Sequence, residues 1–186
     1  HAPVAIVSFA VVVILVLSAL LAPLIAPYDP FNPASLNLMN GFTPPREANA
    51  FTGDTFFLGT DDQGRDIFST ILYGMRISLF VGFAAVGLAM ALGVLLGLVA
   101  GYVGGWIETL IMRIADVQLT FPSILVAMLI FGIAKGVTPA EYRDQMAIWV
   151  LILAIGLSEW VQFARVVRGT TMVEKNKEYV QAARLI

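Results

Sequence analysis

The stretch from Val4 to Ile25 contains no charged residue. About 20 such residues in helical form cross a hydrocarbon core of roughly 30 Å, so this stretch is long enough to span a bilayer. A cleaved secretory leader is the other reading, with small residues near Ala22 or Ala26 for processing. The apolar region is longer than a leader needs and more apolar runs follow it, which favours a retained span. Composition agrees: 59% of residues are hydrophobic and 13% charged, against roughly 25% charged in a soluble domain. One ordinary core cannot bury that excess. The chain opens without methionine and closes inside a helical pattern, and reads as part of a longer protein.

Residues 26–76 differ in kind. They carry Pro27, Pro30, Pro33, Pro44 and Pro45, several Asn and Gly, and more acids than bases. Such composition suits an irregular extramembrane loop. Apolar segments over 77–102, 108–134 and 147–167 then predict three further spans, making the chain an all-α multi-span helical bundle. Ala85, Ala89, Gly93, Gly97 and Gly101 recur every four residues in the first of these. Small residues at that step let another backbone approach closely, as spans require when lipid is as apolar as the side chains. Tight packing fits better than a dedicated homodimer motif. The step drifts about 40° per repeat on a 3.6-residue helix, so no single straight partner is expected to use the whole stripe.

The 108–134 segment opens with Glu108, Arg113, Asp116 and Gln118 and includes Pro122. Arg113 and Asp116 stand three apart, share a face and are expected to pair. Charges at membrane depth also mark pathways, so Arg113, Asp116 and, in the last span, Glu159 are either structural or pathway residues. Gln162 and Arg165 share a face, with Glu159 one step earlier. Arg165, Arg168, Lys175, Lys177 and Arg184 crowd the end of the last span against Glu174 and Glu178. The positive-inside rule therefore predicts a cytoplasmic tail over 168–186. Counting back puts 26–76 and 135–146 outside, and 103–107 and the N-terminal end of 1–25 inside.

Several chemistries are excluded. There is no cysteine, and the one histidine is His1, which leaves no histidine or thiolate catalysis and no zinc site. A net charge of −2 does not point to nucleic acid. No lysine sits in a phosphate-cradling G-x-x-x-x-G-K-[ST] loop, and Gly101-Tyr102-Val103-Gly104-Gly105 reads as a turn between spans. Work against a gradient would draw its energy from another subunit.

Three blocks carry a family resemblance. Leu58-Gly59-Thr60-Asp61-Asp62-Gln63-Gly64-Arg65-Asp66-Ile67-Phe68-Ser69, with Leu72-Tyr73-Gly74 and Arg76-Ile77-Ser78-Leu79, resembles the signature before the second span of dipeptide/oligopeptide/nickel ABC-importer permeases, C-type subunit. Gly101 to Trp106, Met112 to Asp116 and Phe121-Pro122-Ser123 are similar to that family's turn and third span. Trp160, Ala164-Arg165, Val167-Arg168-Gly169 and Glu178 to Arg184 resemble the approach to its cytoplasmic EAA loop.

The resemblance implies the transmembrane domain of a type I ABC importer, with four spans here of an expected six, in the cytoplasmic (inner) membrane. It implies a B-type sister permease, two ATPase subunits that bind ATP and magnesium, and an extracytoplasmic substrate-binding protein. This chain would itself be non-catalytic and hold no cofactor. Short peptides are the implied cargo, with nickel, glutathione or an opine as relatives. A coupling helix over 174–186 would use Glu178, Tyr179, Gln181, Ala182, Ala183 and Arg184, the alanines entering a groove and the polar residues lining its rim. The EAA triplet normally begins with glutamate; Gln181 stands there, keeping hydrogen-bonding reach without a salt bridge. The family glycine and two further spans would lie beyond Ile186. Two other classes stand beside this one: an ion- or proton-coupled secondary transporter using Asp116 or Glu159, and a peptide-sensing receptor.

Overall fold

The structure, a computed structural model, describes residues 3–33 and 36–183, with backbone alone at 144–145 and 181–183. Seven α-helices follow in order: α1 (Pro3–Leu20), α2 (Ala22–Ile25), α3 (Ile67–Val103), α4 (Gly105–Thr120), α5 (Ser123–Val137), α6 (Arg143–Glu174) and α7 (Glu178–Ala183). No strand occurs among the described residues, only isolated bridges at Ala48–Thr55 and Thr60–Asp66. The all-α expectation holds. Among the described residues three helices are long and apolar enough to cross a membrane, giving up to four spans if α4 and α5 together make one broken span. The chain divides into two units, His1–Phe80 and Val81–Ile186.

In the first unit α1 buries only Ala19, and the rest of this apolar helix is exposed or half-buried. The following segment organises around buried polar side chains. The Asp61 carboxylate accepts from the backbone N–H of Gln63 (2.9 Å) and Arg65 (2.8 Å), and pairs with Arg65 Nε at 3.0 Å. Gly64 completes this turn at φ +76°, where a Cβ would lie 2.1 Å from the Asn37 carbonyl; only glycine fits. Asn40, Thr43 and Thr60 are buried. Thr60 Oγ1 donates to the Asn40 carbonyl and accepts from Thr43 N–H at 2.8 Å. Asp66 ends the irregular run: its Oδ2 accepts from Ser69 N–H at 2.9 Å, capping α3. The loop expected to reach residue 76 therefore stops at Asp66, and α3 starts ten residues before 77 because Asp66 is a good cap and nothing after it breaks a helix.

In the second unit the α3 stripe lies along α6. A Cβ on Gly93 would meet the Trp160 carbonyl at 2.6 Å, on Gly97 the Ala164 carbonyl at 2.6 Å, and on Gly101 the Arg168 carbonyl at 2.9 Å. These pairs keep one offset of 67 residues, so the helices run parallel in fixed register. Ala85 shares a buried cluster with Val81 and Ile152, at the same offset. One partner thus follows the stripe from Ala85 to Gly101, against the expectation of several. The four-residue step on α3 is met by an equal step on α6, so the two surfaces drift together. Ala115, Trp160, Val161 and Ala164 form the second cluster, with Leu92, Leu96, Ile111 and Met112 packed against it.

The segment expected as one span over 108–134 is two helices bent by 94°. Pro122 is the cause: it lacks an N–H and forces Phe121 to an extended ψ of 135°. α6 runs beyond the expected 147–167 at both ends, and α7 is a separate helix after Lys175–Lys177.

The stripe generates a prediction. Gly97→Leu should lower thermal stability in detergent by the equivalent of about 1–3 kcal/mol, as overpacking does. Gly132→Leu, where a Cβ meets nothing within 4 Å, should leave the melting temperature near that of the parent.

Candidate functional site

The chemistry-bearing residues of the second unit gather where α4 and the distal half of α6 run antiparallel. Three polar ties join them in order, and a fourth links the end of α6 to α3. Gln118 Nε2 donates to the carbonyls of Leu157 (2.7 Å) and Ser158 (3.0 Å), and its Oε1 accepts from Trp160 Nε1 at 2.9 Å. Arg165 pairs with Asp116. Arg168 donates through Nε to Glu108 Oε1 at 2.7 Å and also through Nη2. Lys175 Nζ donates to the Gly101 carbonyl at 2.8 Å and to that of Tyr102 at 3.4 Å.

Each tie follows from local structure. Lys175 donates to carbonyls at the end of α3, where its charge suits a helix C-terminus. Gly104 and Gly105, at φ +72° and +61°, then reverse the chain so that Glu108 falls in the first turn of α4. Because Gly93 and Gly97 hold α6 close, Trp160 and Arg168 come within reach of α4.

Asp116 was expected to pair with Arg113 on its own helix; it takes Arg165 instead. An i, i+3 pair gains little over solvent, whereas α6 places a second guanidinium across the groove. Glu159 stays with its neighbour, accepting from Gln162 Nε2 at 3.0 Å, and Arg165 leaves that stripe for α4. Arg113 and Asp116 line one open polar groove of about 620 Å³ with Glu108, Thr109, Met112, Arg165 and Arg168; Glu159 does not line it. The Glu108–Arg168 pair is the less exposed ion pair, with side chains 19% and 34% accessible, against 54% and 48% for Asp116 and Arg165. Sequence reading overlooked that pair and the Gln118 clamp. Opposite charges at two span ends were the signal for the first; nothing in the spacing marks the second.

Beyond α6, Glu174 gathers the next turn. Its carboxylate accepts from Lys177 Nζ and from the Tyr179 hydroxyl, each at 2.6 Å. Those hydrogen bonds hold the Lys177 ammonium above its ordinary pKa and push the Tyr179 phenol up. Glu178 and Tyr179 are exposed on α7. Of the remaining expected coupling residues, Gln181, Ala182 and Ala183 are helical by backbone, and Arg184 lies outside the described residues. Among the described residues no group of His, Cys, Asp and Glu could hold a metal.

Comparison with known proteins gives two family matches. Residues 93–186 match the binding-protein-dependent transport system inner membrane component. Residues 1–45 match the N-terminal TM domain of oligopeptide transport permease C. The oligopeptide transport system permease protein OppC of Bacillus subtilis is 35% identical over 98% of this chain and 53% of its own length. The dipeptide transport system permease protein DppC of Haemophilus influenzae is 35% identical over 97% and 57%. The glutathione transport system permease protein GsiD of Shigella flexneri is 42% identical over 94% and 52%. The chain spans about half the length of these curated relatives.

The Gln118 clamp can be tested directly. Gln118→Leu leaves Trp160 Nε1 without its acceptor and should destabilise the protein by about 1–3 kcal/mol, seen as a lower melting temperature in detergent. Gln162→Ala, which removes only the exposed contact with Glu159, should stay within about 0.5 kcal/mol of the parent.

Proposed function

The chain belongs to the family of binding-protein-dependent transport system inner membrane components, of the oligopeptide permease C type, and from that we propose that it is a transmembrane subunit of an ATP-driven importer of short peptides. The observation that carries this reading is the family match over residues 93–186, which takes in α4, α5, α6, α7 and the glycine-rich end of α3. Relatives named for oligopeptides, dipeptides and glutathione support a peptide-like cargo. Substrate would arrive from an extracytoplasmic binding protein and pass between this subunit and a B-type sister. ATP and magnesium would be held by two separate ATPases, and this chain performs no bond chemistry.

α7 is the element we assign to the ATPase. It is short, begins after the last long helix, and exposes Glu178 and Tyr179 at its start. Glu174 braces its first turn through Tyr179 and Lys177, so a push on α7 reaches α6 without a slack linker. Gln181, Ala182, Ala183 and Arg184 complete the proposed contact, with the alanines seated in the partner's groove. The bases from Arg165 to Arg184 favour a cytoplasmic position for this end, which places 26–66 and the α5–α6 connection outside. Family membership sets aside the ion-coupled carrier, and Asp116 is engaged by Arg165.

Two measurements decide the matter. The complete permease, purified by a tag, should bring down two nucleotide-binding subunits, and proteoliposomes of that complex should accumulate labelled short peptide only with ATP. Ala182→Arg should cut uptake more than about tenfold, a loss of about 1.4 kcal/mol of coupling, while the protein remains in the membrane. Uptake that ignores ATP, or that survives Ala182→Arg at the parental rate, refutes the assignment.

A further inference from the structure

We propose that Lys175 and the Glu108–Arg168 pair act as a strut that carries displacement of α7 to the α3–α4 hairpin. The inference rests on the coupling role assigned to α7 above and says how force leaves it. Lys175 is the first residue past α6, and α7 begins three residues later. Its ammonium donates to the carbonyls of Gly101 and Tyr102 at the end of α3. Seven residues earlier, about 10 Å along the helix axis, Arg168 grips Glu108 in the first turn of α4. The hairpin tip between those grips is the Gly104–Gly105 turn. One end of α6 therefore holds both arms of the hairpin.

The two grips matter because the glycine face alone leaves α4 unrestrained at this end. Gly97 and Gly101 fix α3 to α6 by close approach, but α4 meets α6 through side chains. Glu108 is the more buried acid of the two α4 ion pairs, so its partner is held in a less screened setting than Asp116 offers. At the far end of α4, the Gln118 clamp fixes the helix to α6 at Leu157, Ser158 and Trp160. Immediately beyond it the chain breaks at Phe121–Pro122 and α5 departs at 94°. The end of α3, all of α4 and the distal half of α6 are thus joined by polar ties at both ends of α4, while α5 packs against α6 in its turn.

Lys175, Glu108 and Arg168 are positioning residues in this scheme, so the readout is peptide accumulated per ATP hydrolysed by the complete transporter in proteoliposomes. Glu108→Gln and Lys175→Met should each lower that ratio roughly fivefold or more while hydrolysis by the partner subunits continues. The charge exchange Glu108→Arg with Arg168→Glu should recover most of the loss. Lys175→Met, which changes one half-buried side chain just past α6, covers the case in which Glu108→Gln fails to assemble. A parental ratio in both single variants overturns the strut and leaves the importer standing. Loss of ATPase binding in both also overturns it, because the residues would then form a docking surface. If the unaltered complex shows no ATP-dependent uptake, the importer itself falls and the strut with it.

Discussion

Backbone-to-backbone approach between α3 and α6 is the constraint from which the rest of the second unit follows. In lipid the hydrophobic effect does not draw helices together, so packing must come from surfaces that meet without gaps. Gly93, Gly97 and Gly101 remove the side chains that would hold α6 away, and the carbonyls of Trp160, Ala164 and Arg168 occupy that space. Once α6 is that near, the adjoining part of the same surface meets α4. The Trp160 indole then finds Gln118, Arg165 finds Asp116 and Arg168 finds Glu108. The polar ties depend on the glycine contact and not the reverse: lengthen it by one methyl group and several of them lose their reach.

The first unit solves a different problem. Its connecting segment leaves large apolar side chains such as Phe31, Leu38, Phe42 and Phe51 exposed, and it is organised by short polar side chains that answer backbone groups nearby. Asp61 serves two N–H groups and an arginine, the Thr60 hydroxyl serves the Asn40 carbonyl, and Asp66 starts a helix. Aromatic contacts such as Phe57 with Phe68 at 5.7 Å, and the Arg46 guanidinium 4.7 Å from the Phe57 centroid, close the remainder. The block Leu58–Ser69, which carries the strongest family signature, is therefore built for turn geometry. Asp61 and Asp66 are engaged by the fold.

Much of this was legible in the sequence, because hydrophobic runs and small-residue spacing are one-dimensional signals. The spans around Val4–Ile25 and 77–102, the packing role of Ala85 to Gly101 and the turn at Gly104–Gly105 could all be read from residue type and period. What could not be read were distances between helices. Arg113 and Asp116 looked paired because only their own helix was visible; the competing Arg165 is 49 residues away. The straight-helix argument about the stripe failed for the same reason, since it allowed α3 a drift but held its partner still. Pro122 was visible, yet its size of bend was not, because a proline in a membrane span can kink or break it according to what its neighbours supply. The start of α3 was misplaced because polarity marked the loop, while helix formation is decided by caps such as Asp66.

The constant register between α3 and α6 has a consequence for biosynthesis. Positions that finally touch are separated by 67 residues of chain, and a ribosome adds about 5–20 residues per second. The glycine face of α3 therefore waits in the bilayer for roughly 3–13 s before its partner exists. During that interval it presents a groove that accepts any close-packing helix, displaced by one four-residue step as readily as correctly placed. The fixed ties made later, by Arg168 and Lys175, have only one alignment in which both are satisfied. They act as a proofreading mark: a helix pair that docks early and out of step remains correctable until the end of α6 arrives.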